Sequence, residues 1–317
     1  MLILKLINTC FRGKYVKKIP VSVLVQTKNE EKGIAGCLAA LDDFDEVIVV
    51  DSNSTDRTAE LAKEAGATVI NFTWNGKFPQ KKQWQLTEVE TRNEWLLMLD
   101  ADEFPTPELA RELRAIAEDP AETRVAFDLP VAYHFAGMGL RHGHSVVKRS
   151  FLRRGLNEFR NIDLLHLPGM GEVEAHYQPE PRGPVGRTTA KLVHHDLDPV
   201  RTWFDRHNRY SDWEAFIRMD PRTRENVRGS KSSQGRRFDR VPLKPLVFFL
   251  YSYVLRRGFL DGRAGFDYAL ALSVYYWQIG LKVRELQRGR AEAAAPAVSG
   301  TAAAASVPAR SGEADHA

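Results

Sequence analysis

The stretch Trp95-Leu96-Leu97-Met98-Leu99-Asp100-Ala101-Asp102-Glu103 constrains this chain more than any other. An apolar run of strand character stops abruptly in three carboxylates within four residues. Burying several acids together is costly unless a cation neutralises them. Two aspartates one residue apart, at the exposed end of a core strand, suit a divalent metal that holds a diphosphate. The same residues also suit the approach to a helix, because Phe104-Pro105-Thr106-Pro107-Glu108 follows and both proline and acids favour a helix N-terminus. By itself the stretch serves either reading.

Its surroundings favour a sheet. Val21 to Thr27, Glu46 to Asp51 and Ala67 to Phe72 read as three further buried strands, being apolar and β-branched. Helical patterns fall between them, through Ile34 to Leu41, Thr58 to Ala65 and Lys81 to Val89, with Gly66 placed to end the second. Strand and helix alternate, which predicts an α/β fold with a mostly parallel sheet flanked by helices. Ligands of such sheets bind beyond the carboxyl ends of the strands. Thr27, Asp51 and Asp100 all sit at such ends, so three polar clusters are expected to meet at one crevice.

After Pro120 the alternation is lost. Val125 to Phe135 and Ser150 to Arg154 read as strands, with glycine- and histidine-rich loop between. Trp203, His207, Tyr210, Trp213 and Ile217 recur at helical spacing and read as core packing. From Arg222 to Lys244 there are eight Lys or Arg against two acids, Glu225 and Asp239. That basic segment abuts the apolar Pro245 to Leu255, and a second apolar, aromatic segment runs from Ala264 to Leu281. The first is too short to span a bilayer and the second is interrupted by Asp267. Beyond Arg290 the chain is alanine-rich with Ser, Gly and Pro and is expected to be disordered. The division expected is a lead over 1–19, a catalytic domain over 20–200, a helical basic and aromatic extension over 201–288, and a tail over 289–317. The two cysteines, Cys10 and Cys37, have no metal-type spacing. The short apolar start lacks the charge order and cleavage site of a secretory signal.

Val21 to Glu31, Val49 to Thr58 and Leu99-Asp100-Ala101-Asp102-Glu103 resemble the successive signatures of family 2 glycosyltransferases with the Rossmann-like GT-A fold. The closer resemblance is to the WaaE-like bacterial group of lipopolysaccharide-core and exopolysaccharide assembly. His207 to Ala215 and Gly258 to Gly262 also resemble segments of that group, which extends the match to about residue 285. The resemblance implies an inverting transfer from a nucleotide-diphosphate sugar, a UDP-sugar first, to a glycolipid or polysaccharide acceptor. Thr27 and Glu30 would flank the base and ribose. Asp51 would accept hydrogen bonds from the base, although an Asx-turn or helix cap is the plainer use of an aspartate there. Asp102 would ligate Mg²⁺ or Mn²⁺, and Asp100 would reach the ribose or a metal-bound water. Lys81 and Lys82 could meet the diphosphate or form a solvated helix face. His194 or His195 could complete the metal site, or pack against a carboxylate for structural reasons.

An inverting transfer needs a base for the acceptor hydroxyl. Gly171-Glu172-Val173-Glu174-Ala175-His176 offers Glu174 first and Glu172 second, both on one face of an extended segment. A solvated strand edge is the alternative. The basic segment and the aromatic stretches together suit docking on an anionic leaflet, at the cytoplasmic face of the bacterial inner membrane; a plain core helix pair over 246–281 is the alternative. No nucleic-acid module is recognisable. Two other functions fit the same residues: a polyprenyl-phosphate glycosyltransferase, which needs no strong base, and a non-catalytic membrane-docked module that binds sugar nucleotides. Oligomeric state leaves no mark in the sequence.

Overall fold

The computed structural model describes residues 17–161, 171–172, 178–196, 199–230 and 241–294. Most of the expected lead and tail, Glu174, His176 and positions 231–240 of the basic segment lie outside the described residues.

Strand β1 (Ile19–Thr27) is the axis of the molecule. Val21, Val23 and Val25 enter one apolar core and Leu24 enters the other, so both faces of the strand are covered. That is why it reads as a continuous apolar run rather than an alternating one. Helix α1 (Ile34–Ala39) leads to β2 (Phe44–Asp51), and α2 (Thr58–Glu64) to β3 (Thr68–Asn71). Gly66, at φ +85°, closes α2 as expected. Helix α3 (Lys81–Glu88) then precedes β4 (Trp95–Asp100). β2 and β4 pair in parallel with β1 on either side, and β3 lies parallel outside β2.

Beyond β4 the sheet is mixed, which corrects the mostly parallel expectation. β5 (Glu103–Pro105) leads into α4 (Pro107–Glu118), and β6 (Ala126–Phe135) follows. Thr106 caps α4 by accepting a hydrogen bond from the Leu109 N–H at 3.1 Å, with Pro107 in the first turn. β7 (Met138–Gly139) and β8 (Val147–Arg153) return against β6 without a crossover helix, so β8 is antiparallel to both β6 and β4. β9 (Asn157–Glu158) and β10 (Glu180–Pro181) form a small ribbon, and β11 (Val185–Arg187) adds to β6. β12 (Leu192–His194) lies parallel to β6 and antiparallel to β5. The order is β3-β2-β1-β4-β8-β6-β12-β5.

Helices cover the sheet. Ile34, Leu38, Leu109 and Leu113 pack on one face, and Phe72, Trp84 and Phe159 on the other. Trp95 of β4 stacks on Phe151 of β8 at 4.7 Å between centroids, with Phe127 tilted against both. The C-terminal part is helical as expected: α5 (Val200–Met219), α6 (Pro221–Ser230), α7 (Lys244–Phe249), a π turn (Leu250–Leu255), a 3₁₀ turn (Gly258–Asp261) and α8 (Gly262–Ala294). Trp203 of α5 and Tyr268 of α8 bury against Phe135 at the end of β6, a third core joining the helices to the sheet. The aromatic stripe on α5 is thus core packing at its start. Among the described residues no helix is long and apolar enough to cross a membrane.

Phe151 is fully buried where β4, β6 and β8 meet. Phe151→Ala should cost about 3–5 kcal/mol, the transfer and cavity terms combined, read as a lowered urea midpoint with little change in slope.

Candidate active site

Register brings the predicted residues together. Thr27 is paired with Asp51 across β1 and β2, and Gln26 with Asp100 across β1 and β4. Three parallel strands therefore end level, and their polar termini share one edge. Lys81, at the start of α3, is only 2% exposed. Its ammonium donates to the Thr27 carbonyl at 2.9 Å and the Ser52 hydroxyl at 2.7 Å, so it ties the ends of β1 and β2 and is no solvated helix face. Burial pushes its pKa down to about 8, against the favourable charges of Glu172, Asp51 and Asp100.

Asp51 is buried, with both carboxylate oxygens engaged. The Thr27 hydroxyl donates to Oδ1 at 2.9 Å, the Ser54 hydroxyl to the same oxygen at 2.5 Å, and the Ser54 N–H to Oδ2 at 2.8 Å. The Asx-turn arrangement is thus present, and Oδ2 retains one lone pair. Much of the polar motif around it is loop framework. The Glu30 N–H donates to Thr58 Oγ1 at 2.7 Å, the Thr55 N–H to Asn29 Oδ1 at 2.8 Å, and the Asn29 N–H to Ser54 Oγ at 2.8 Å. These bonds lace the loops after β1 and β2 together.

The acidic end of β4 is neutralised from within the protein. Lys148, on β8, donates to Asp100 Oδ2 at 2.7 Å and to both oxygens of the buried Glu103 at 2.8 and 2.6 Å. Glu103 also accepts from the Asp100 N–H at 3.1 Å, and Asp100 Oδ1 accepts from the Gln26 amide. Burial opposes ionisation of Asp100, but Lys148 and then Lys82 hold its carboxyl below the usual carboxylate range. Asp102 is treated in the opposite way. Burial, and then the charges of Asp100 and Glu103, push its carboxyl well above that range.

β12 supplies the histidines. His194 is in register with Glu103 of β5 and Tyr133 of β6, which sets its Nε2 3.5 Å from Asp102 Oδ2. Successive strand residues face opposite ways, so His195 turns elsewhere. Its ring meets His134 edge-on at 4.9 Å, and its backbone N–H donates to the Asp102 carbonyl at 2.8 Å. Burial lowers the pKa of His194, favouring the neutral imidazole that a metal requires. Its Nδ1 is buried without a hydrogen-bond partner.

The two donors fit an ion. Neighbouring donors on an octahedral cation stand about 3 Å apart, close to the separation of His194 and Asp102. Among the described residues no three His, Cys, Asp or Glu side chains converge as a metal-binding group. Phosphate oxygens and water would have to complete the shell, the usual arrangement for a cation that carries a diphosphate. A cleft of about 160 Å³ opens between the turn Asn29 to Gly33, Asp56, Asp102 and Asp196, so Glu30 and Asp102 border one space.

The expected base is only partly placed. Glu172 has its carboxylate 3.8 Å from the Lys28 ammonium, and its carbonyl accepts from the Lys81 N–H at 2.7 Å. It stands beside the carboxyl end of β1 and the start of α3. Sequence reasoning missed Lys148 and Gln26. Nothing local marks Lys148, which arrives by antiparallel pairing from 45 residues after Glu103; Gln26 could have been found from its position beside Thr27. It also left Asp196 without a role, although this residue borders the cleft and pairs with Arg206 of α5.

The Glycosyl transferase family 2 model matches residues 22–162. An uncharacterised glycosyltransferase of Rickettsia typhi is 37% identical over 119 residues, 37% of this chain and 40% of that protein. The matched stretch thus spans two fifths of that relative's length. A lipopolysaccharide core biosynthesis glycosyltransferase, LpsC, of Rhizobium meliloti is 26% identical over 278 residues, covering 84% of this chain and 93% of that protein. Glucosyl-3-phosphoglycerate synthase from Mycobacterium tuberculosis is similar at 23% identity and a TM-score of 0.26, over 36% of this chain and 44% of that one, a likeness too slight to bear on chemistry. The matched region, residues 22–162, is a glycosyl transferase family 2 domain, and it holds the three strand ends and the acidic motif.

Proposed function

We propose that this glycosyltransferase transfers a sugar with inversion from a nucleotide diphosphate, UDP first, to a glycolipid or growing polysaccharide of the bacterial envelope. Lipopolysaccharide core is the favoured acceptor, met at the cytoplasmic face of the inner membrane. One observation carries the reading. The level ends of β1, β2 and β4 set a polar edge beside Asp102 and His194, which suits a donor with an uncharged base at one end and a diphosphate at the other. The relation to the Rhizobium meliloti protein of lipopolysaccharide core biosynthesis supports the acceptor class.

In this reading Thr27, Glu30 and Asp51 border the nucleoside, Lys81 holds the strand ends that receive it, and Asp100 reaches the ribose. Asp102 and His194 would hold Mg²⁺ or Mn²⁺, and His195 would fix the Asp102 backbone. An imidazole in the set leans towards the softer Mn²⁺. When bound, the cation stabilises charge on the departing diphosphate. The acceptor oxygen attacks the anomeric carbon as the bond to the diphosphate breaks. The nucleoside diphosphate leaves with that electron pair, and the acceptor proton passes to a carboxylate, Glu174 or Glu172. Lys148 keeps Asp100 and Glu103 compensated, so the motif is folded before any ligand arrives.

Three outcomes follow. Asp102→Ala should abolish Mn²⁺-dependent UDP binding in calorimetry and lower transfer by about two orders of magnitude or more; metal-dependent binding that survives in this variant refutes the metal assignment. Glu172→Ala and Glu174→Ala, singly and together, should separate the base from its neighbour, and undiminished transfer in all three removes both from that role. Lys148→Met should lose about 3 kcal/mol of stability by leaving buried acids unpaired, with Lys148→Arg much milder in chemical denaturation.

Lys81 gives a pH signature. Its lowered pKa means the folded state binds fewer protons than the unfolded chain between about pH 8 and 10.5, so its contribution to stability grows across that window and falls away as the pH drops through 8. Comparing thermal midpoints of wild type and Lys81→Met over the window should show that slope only in the wild type.

A further inference from the structure

The short helix α7 and the π turn that continues it are apolar on two sides. Lys244, Phe248 and Ser252, four residues apart, are buried. Phe248 packs on Tyr276 of α8, and Phe249 on Phe266. The opposite side repeats at the same spacing with Leu246, Leu250 and Val254, each about half exposed, and ends in Leu255 at 74%. Phe259 and Leu260 of the 3₁₀ turn are also exposed. A soluble monomer rarely leaves so many neighbouring large apolar side chains in water without a use for them.

α8 extends the surface. At 100° per residue, Leu270, Trp277 and Leu281 lie on the stripe next to the one through which Phe266 and Tyr276 grip α7. All three are exposed, Trp277 by 52%. Cations border this apolar strip: Arg256 and Arg257 at the end of the π turn, and Arg263, Arg284 and Arg288 on the same side of α8, all exposed. Of these, Arg263 is paired with Asp267 at 3.0 Å. Apolar side chains rimmed by arginines, with an indole among them, complement a bilayer leaflet with anionic headgroups. Among the described residues no helix is long and apolar enough to cross a membrane, and such a surface suits shallow seating.

The surface is bolted to the sheet. Asp261 accepts from the backbone N–H groups of Arg141 and His142 at 2.9 and 2.8 Å, and its other oxygen meets His142 Nδ1 at 2.9 Å. The Gly143 N–H donates to the Arg256 carbonyl at 2.9 Å, and the His144 N–H to Ser252 Oγ at 3.1 Å. Gly258 and Gly265 allow this close crossing, since a Cβ on Gly265 would stand 1.9 Å from the Gly258 carbonyl oxygen. The loop held in this way joins β7 to β8, both paired with β6, the strand that also pairs with β12 and hence with His194.

We infer that α7, the π and 3₁₀ turns and the adjoining stripe of α8 form a membrane-docking wedge that seats shallowly in an anionic leaflet and holds the β7–β8 loop at its surface. The wedge deepens the transferase reading, on which it rests for the nature of the acceptor, by naming the partner of that site.

Co-flotation with phosphatidylcholine vesicles, with and without phosphatidylglycerol, tests the wedge on the full chain, alongside calorimetry with UDP and Mn²⁺. Wild type should float only with the anionic vesicles, and less at high salt. Leu250→Glu with Val254→Glu should weaken partitioning roughly tenfold or more, and Arg256→Glu with Arg257→Glu should remove the preference for phosphatidylglycerol. Both double variants should keep wild-type UDP affinity and thermal midpoint, which separates lost docking from misfolding. Wild type that binds UDP but no vesicles overturns the wedge and leaves the transferase reading standing. Vesicle binding without UDP binding does the reverse. A wild type that is dimeric in light scattering, made monomeric by Leu250→Glu and blind to vesicles, gives the surface to a second copy instead and overturns the wedge.

Discussion

Three acids crowd the end of β4, and the ammonium of Lys148 makes that crowding tolerable. It bridges Asp100 and the buried Glu103, so the two carboxylates nearest the core are paired by the protein itself. Asp102 is left over. Burial and its two charged neighbours raise its pKa, and the only basic group within ion-pair reach among the described residues is His194, whose own pKa burial lowers. The motif is therefore divided by pairing: Glu103 and Asp100 share the Lys148 ammonium, and Asp102 faces only the His194 imidazole.

Much of this was legible in the sequence, and the reason is geometric. β1, β2 and β4 are parallel neighbours, so the carboxyl end of each strand can be read locally and then placed at a common edge by topology alone. Thr27, Asp51 and Asp100 needed nothing more. The two readings of the acidic stretch also both hold, a few residues apart: the aspartates end the strand, and the helix begins after Thr106, which caps it. What the sequence hides is contributed by antiparallel pairing. The β8 and β12 registers depend on loops with no periodic signal, and those registers deliver Lys148 to Glu103 and His194 to Asp102. The mostly parallel expectation failed at the same place and for the same reason.

Burial also revised what the polar motif means. Lys81 reads as a helix-face lysine, yet it is enclosed and satisfied by a carbonyl and a hydroxyl. Asp51 reads as a ligand acceptor, yet its oxygens already serve Thr27 and Ser54. Residues that frame a binding edge and residues that touch the bound molecule obey the same preference for short polar side chains at strand ends. Pattern alone cannot separate them. Hydrogen-bond saturation can, and by that measure Asp102 has more unused capacity than Asp51.

The helical extension packs directly against the strands that carry the candidate site. Trp203 and Tyr268 close over Phe135 at the end of β6, Arg206 of α5 pairs with Asp196 at the cleft, and Tyr133 of β6 lies edge-on to His194 at 4.8 Å while packing on Tyr268. A displacement of α8 relative to the sheet would pass through Tyr268 and Tyr133 to the histidine beside Asp102, because close-packed aromatic contacts transmit shifts rather than absorb them. The extension thus reaches the His194 and Asp102 pair through its own core, by way of Tyr268 and Tyr133.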